Sequence, residues 1–229
     1  MTMLAVAAAV FVLMHLLISG TRLRDRITGA IGERPYMGLF SLASVAALAW
    51  LIIAFAPARG QPGDTVFWTI TPVTRHITIA LVLIAFLLAV PGLLTNSPTR
   101  VAGGAVVDQP AAVSGMTRVS RNPFLVGVAV WAAAHLLVNG ALSAIFLFGS
   151  LLILGVFGPL SIDAKRKRAL GARYEAFMAQ TSNIPFAAIV QGKQKFKLGE
   201  IWWRLLVGLA LFALVLMFHQ KMFGVSPMG

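Results

Sequence analysis

The chain has 229 residues, 59% of them hydrophobic and only 11% charged, with a mean hydropathy of +0.86 and a net charge of +12. No soluble domain of this size can hide so much apolar surface, so the bilayer is its solvent, and apolar runs without strand-like alternation must cross it as helices. The basic residues fall in short loops between the apolar runs, which points to anionic lipid and not to nucleic acid, and the absence of cysteine excludes disulfides, thiolate-ligated haem, iron–sulfur clusters and cysteine nucleophiles.

Six apolar runs follow in order, at about 2–20, 36–56, 76–95, 123–139, 141–162 and 201–219. Each approaches the roughly 20 residues needed to cross a bilayer. The first begins without a basic leader and reads as a retained span. Pro91 interrupts the third run and is expected to kink it. The fourth run has both ends written in, with Asn122 as N-cap, Pro123 at the first helical position and Asn139-Gly140 as the stop. Gly127 and Ala132 to Ala134 thin the walls of this helix, so that a flat group or another helix can lie against it. Almost nothing joins the fourth and fifth runs, which predicts a tight antiparallel hairpin.

Between the runs, residues 96–122 are rich in Gly, Pro, Ser and Thr and read as an irregular loop. Lys165 to Gln180 places Ala169, Leu170, Tyr174, Phe177 and Met178 at helical spacing among basic residues, the pattern of an interfacial helix. Thr181 to Phe186 reads as the cap of a second short helix ending at Gly192. Sixteen of the nineteen Lys and Arg residues fall in the loops after the first, third and fifth runs. The expected architecture is therefore an all-α, polytopic membrane bundle of about six spans plus cytoplasmic interfacial helices, forming one domain over 1–229. Its basic loops are expected in the cytoplasm and both termini outside.

Ionisable side chains at bilayer depth are functional candidates by default. His15 and His135 lie within spans, His76 at the outer mouth of the third and His219 near the end of the sixth. Imidazole suits a metal or haem iron, and two such ligands make a bis-histidine site. Counting along the helices places His15 and His135 roughly 13 Å apart in depth, and depth alone pairs His135 more readily with His76. Trp131, one turn before His135, reads as packing. All seven acidic residues lie in loops or at span edges, which argues against a pump or secondary transporter, and no phosphate-binding loop or nucleophile elbow occurs.

Several strings together carry a resemblance: Ile31-Gly-Glu-Arg34, Gly115-Met-Thr-Arg-Val-Ser-Arg-Asn-Pro123, Trp131 to His135, and above all Thr181-Ser-Asn-Ile-Pro-Phe-Ala-Ala-Ile189 followed by Gly192. They resemble the NnrU family, which includes bacterial NnrU proteins and plant and cyanobacterial 15-cis-zeta-carotene isomerases. The resemblance runs from about residue 10 to 222. It implies an integral membrane protein of the bacterial inner membrane that binds haem b, with iron held by His15 and His135 and with His76 and His219 near two other family histidines. Arg22, Arg24, Arg118 and Arg121 are then candidates to neutralise the haem propionates, and Trp131 to line the cofactor site. Where the isomerases carry a cysteine three residues before the second ligand, this chain has Ala132, which removes that alternative ligand. The family's Arg-His-Pro reads Arg121-Asn122-Pro123 here.

The first expectation for function is accordingly a haem b protein associated with denitrification and with nitric oxide and nitrite metabolism, its partners being membrane lipid and a nitrogen-oxide ligand at iron. The second is a haem-dependent cis–trans isomerase of a lipid-soluble polyene such as 15-cis-zeta-carotene. A membrane methyltransferase, suggested by Arg121-x-Pro123-x-x-x-Gly127, and an accessory protein without a site complete the range.

Overall fold

A computed structural model describes residues 1–228. Its long helices fall where the apolar runs do. They are α1 (Thr2–Leu13, continued by a π-helical stretch Met14–Ser19), α3 (Glu33–Ala58), α4 (Pro72–Leu93), α6 (Pro123–Val138), α7 (Leu142–Leu170) and α10 (Trp202–Phe223). Five are long and apolar enough to span a membrane, and α6 is the short one. Its 16 residues reach about 24 Å. Shorter helices α2 (Arg22–Ile31), α5 (Met116–Val119), α8 (Ala172–Gln180) and α9 (Ala187–Val190) lie between them, at the end of the bundle that carries the basic loops.

The spans form a bent row. α3 packs on α1, both lean on α7, α7 packs on α6, α6 on α4, and α4 on α10. Contacts at both ends establish the alternation of direction. At the terminal end, Leu142 N–H donates to the Thr65 carbonyl and Phe67 N–H to Gly140, while Asp64 accepts from Ser143 N–H at 2.8 Å and thereby places a carboxylate at the start of α7. At the basic end, Gly20 abuts Ser161 of α7.

Small residues set the spacing of α6, as bilayer packing requires when lipid is no less apolar than a leucine. A Cβ on Gly127 would stand 2.7 Å from the Ala89 nitrogen of α4, and one on Gly155 of α7 would stand 2.7 Å from Ala129. The thin walls of α6 are thus filled by neighbouring helices. Thr78 adds a buried hydrogen bond from α4 to the Ala134 carbonyl, 3.0 Å. α10 lies at the edge of the row, with Gly208 as its one buried residue.

Four local expectations are corrected. Asn122 makes no side-chain cap; its amide instead donates to Asn183 Oδ1 at 2.7 Å, which ties the start of α6 to the segment before α9. The interfacial helix does not begin at Lys165, because α7 continues through Arg168 to Leu170. The break comes at Gly171, whose φ of +55° suits glycine. Residues 96–122 are not irregular throughout, since they hold two 3-10 turns and α5. Pro91 does not kink a helix middle, because α4 ends at Leu93 and the proline stands in its last turn.

Candidate functional site

The four histidines share one local geometry. In each, Nδ1–H donates to a backbone carbonyl: His15 to Phe11 (2.7 Å), His76 to Pro72 (2.7 Å), His135 to Trp131 (2.8 Å) and His219 to Val225 (2.7 Å). Three of these reach back one helical turn, the direction in which helical side chains point. The bond fixes the tautomer and leaves the Nε2 lone pair free, as a metal-ligating imidazole requires. Neither His15 nor His135 gives its Nε2 a protein partner among the described residues.

The surroundings of the two intramembrane histidines differ. His15 sits in the π-helical turn that ends α1, edge-on to Phe11 (4.8 Å) and to Phe40 of α3 (5.5 Å). Turns of this type are frequent at functional sites. His135 lies on α6 against Trp131 (4.3 Å) and stacks on Phe148 of α7 (4.9 Å, 24°). Trp131 therefore packs, as expected, and what it packs against is the histidine.

Helical register measures how far apart they are. α1 and α7 run in the same direction and Gly20 touches Ser161, so His15 is level with about residue 156 of α7. That is eight residues beyond Phe148, or roughly 12 Å. α6 runs against α1 and α7, however, and each imidazole reaches back one turn along its own helix, so the two rings lean toward one another in depth and the offset between them is smaller. Each imidazole thus presents a free Nε2 of the kind that fits an iron. His76 and His219 belong to the terminal end, and His219 lies within electrostatic range of His135.

An apolar groove of about 200 Å³ opens beside Trp131, between Ala85, Ala89 and Val90 of α4 and Gly127 and Val128 of α6. It presents no polar surface, so it suits a thin hydrocarbon chain entering from lipid.

The arginines at the basic end serve different tasks. Arg121 is buried and committed to the protein. It donates to Asp163 (2.5 Å), to Thr181 Oγ1 (2.9 Å) and to the carbonyls of Thr181 and Met178. Asp163 also accepts from the Tyr174 hydroxyl (2.7 Å) and from Asn183 (2.8 Å). Burial first, and then the Asp163 charge, push the Tyr174 hydroxyl well above the ordinary tyrosine value, so it stays a neutral donor. Arg118 pairs with Glu200 and Gln194, and Arg24 with Glu33. Arg22 is exposed. The two longest motif strings, 115–123 and 181–189, thus dock on one another through a buried charge network. Asp163, Tyr174 and Asn183 complete it, while the partly exposed Glu200 ties Arg118 and Gly115 down beside it, and none of the four is a candidate on sequence grounds. Asp163 carried the available signal, a carboxylate at the end of an apolar run, two residues before the basic stretch that starts at Lys165, where it needs a partner.

Comparison with known proteins bears on all of this. The family model described as NnrU protein matches residues 3–227. The chain is similar to the chloroplastic 15-cis-zeta-carotene isomerase of Zea mays, 29% identical over 178 residues, covering 76% of this chain and 47% of that one. It is similar in the same degree to the enzyme of that name from Arabidopsis thaliana, 29% over 177 residues, 75% of this chain and 46% of the other. The chain spans about half the length of these relatives. No solved structure matches it.

Proposed function

The chain belongs to the NnrU family, and on that premise we propose that it is an integral membrane isomerase of cis double bonds in a long, lipid-soluble polyene. The observation that carries this reading is the similarity to two isomerases of 15-cis-zeta-carotene across three quarters of the chain. Of the two activities expected from the sequence, it favours isomerisation over a role in nitrogen-oxide metabolism. The apolar groove beside Trp131, whose ring in turn contacts His135, supports it, since a conjugated hydrocarbon has no polar handle and must be recognised by shape against apolar walls. By the positive-inside rule the basic end faces the cytoplasm and both termini face the exterior.

Haem b is the proposed cofactor, with His135 as its iron ligand and His15 as the candidate second ligand. When bound it would supply an iron centre able to exchange charge with a conjugated chain and so lower the order of the double bond that rotates. The protein's own contributions are definite. The Trp131 carbonyl holds the His135 ring in the tautomer with Nε2 free, Phe148 and Trp131 fix its plane, and the walls of α4 and α6 exclude water from the groove.

Visible spectra of purified protein reconstituted with haem, together with conversion of a zeta-carotene carrying a 15-cis bond followed by chromatography, test the proposal. The expected result is a Soret band that shifts on reduction and is lost in His135→Ala, with conversion lost alongside it. His15→Ala then decides whether the second imidazole binds iron, by whether its spectrum departs from wild type. Haem-loaded wild-type protein that leaves the carotene unchanged refutes the isomerase reading. An unaltered spectrum in His135→Ala refutes the ligand.

A further inference from the structure

The corner where α1, α2, α3 and α7 meet holds more donors than acceptors. Lys165 lies on the face of α7 that runs past the end of α1: Ser161, one turn before it, abuts Gly20, and Arg168, just beyond it, donates to the Gly20 carbonyl and to Asp25. It is half-buried and makes no hydrogen bond or ion pair among the described residues. Its charged neighbours are Arg24, Arg166 and Arg168, with Glu33 as the acid. Glu33 is already engaged by Arg24, and Asp25 by Arg168. Two more enclosed donors on these elements make no direct hydrogen bond. The enclosed Arg166 Nε–H makes none, on the side of α7 where the guanidinium meets Arg100 and Gly104. The enclosed Tyr36 hydroxyl, on a ring 5.4 Å from the Arg24 guanidinium, makes none either, its side-chain neighbour being Ser19.

An ammonium taken partly out of water, among like charges and without a counter-ion, is unfavourable unless an anion completes it. We propose that this corner binds an oxyanion of the phosphate class and that its source is the headgroup of an anionic phospholipid in the leaflet at the basic end. Two features favour a lipid over a soluble ion. Leu17 of the α1 continuation and Leu39 and Leu42 of α3 are 55%, 62% and 70% exposed beside the corner, so acyl chains have an apolar wall directly below the charges. The corner also sits where the short basic loops emerge, the depth at which headgroups lie. This site is separate from the groove beside Trp131 and does not depend on the isomerase proposal.

The test uses the full chain in nanodiscs of phosphatidylcholine alone or mixed with phosphatidylglycerol, reading thermal unfolding and the lipid retained in native mass spectrometry. A third arm adds inorganic phosphate to the phosphatidylcholine discs at matched ionic strength. Wild type should unfold at higher temperature with phosphatidylglycerol and retain it. Lys165→Gln should lose about fivefold in that preference, the contribution of one basic residue near the surface. Lys165→Arg should restore it, and Lys193→Gln, in the exposed basic loop, should leave it intact. A shift produced equally by inorganic phosphate overturns the lipid assignment while retaining the oxyanion site. Equal behaviour of wild type and Lys165→Gln in every arm overturns the site itself.

Discussion

Asp163→Ala puts the buried network of the basic end to a quantitative test. Asp163 is 7% exposed and accepts from Arg121, Tyr174 and Asn183, while Arg121 is 6% exposed. Removing the carboxylate leaves a buried guanidinium whose remaining partners are the Thr181 hydroxyl and two carbonyls, all neutral. Breaking a buried pair from one side costs about 3–5 kcal/mol. The surviving neutral acceptors place this case near the lower bound, and the orphaned Tyr174 hydroxyl adds about 1 kcal/mol. A total near 4 kcal/mol corresponds to a fall in Tm of roughly 8–16 °C for a chain of this size. Thermal unfolding in detergent, followed by size-exclusion or intrinsic fluorescence, reads it. Arg121→Met combined with Asp163→Leu should recover much of the loss, because no buried charge is then left unpaired. A Tm for Asp163→Ala within about 2 °C of wild type, or a double variant worse than the sum of its parts, would refute the argument that this network locks the two motif strings together.

Gly155→Val should destabilise by about 1–3 kcal/mol, since its side chain meets Ala129 backbone and must push α6 from α7. Gly149→Ala on the same helix meets nothing closer than 3.9 Å, and should be neutral or slightly stabilising in the same melt. Glu200 supplies a pH dependence. Burial opposes its ionisation, yet hydrogen bonds from Arg118 and from Gly115 N–H outweigh that and hold its carboxyl below the usual range. A depressed folded-state value contributes stability above the unfolded pKa and loses it as pH falls through the folded one. The wild type should therefore lose Tm below about pH 4. Glu200→Gln should start about 1 kcal/mol lower at neutral pH, the carboxylate being partly exposed, and should fall less on acidification. Parallel acid slopes for the two proteins would assign the loss to other groups.

How far each feature could be read from the sequence follows from the range of the interaction that creates it. Span positions are local: a window of apolar residues suffices, and all six helices fall on the predicted runs because lipid leaves the backbone no alternative to helix. The end of α7 is not legible in this way, because Lys165 to Arg168 look interfacial by composition. A helix, however, continues until something stops it, and nothing does before Gly171. Asn122 shows the same contest at one residue. As a cap it needs only its own chain, but the Asn183 amide 61 residues away offers a better partner. The site was half legible for the same reason. That His15 and His135 are anchored through Nδ1 is written in their helices, since a carbonyl one turn back is always present. Whether the two face one slot depends on how α1 and α6 each slide along α7, which Gly20 against Ser161 and Gly155 against Ala129 determine. Small residues touching backbone leave no hydrophobic pattern to read, so the contacts that decide the depth of the two imidazoles are those a sequence conceals best. It follows that a variant able to shift α1 along α7, such as Gly20→Ala against Ser161, should change any spectrum that depends on both histidines, and should leave untouched one that depends on His135 alone.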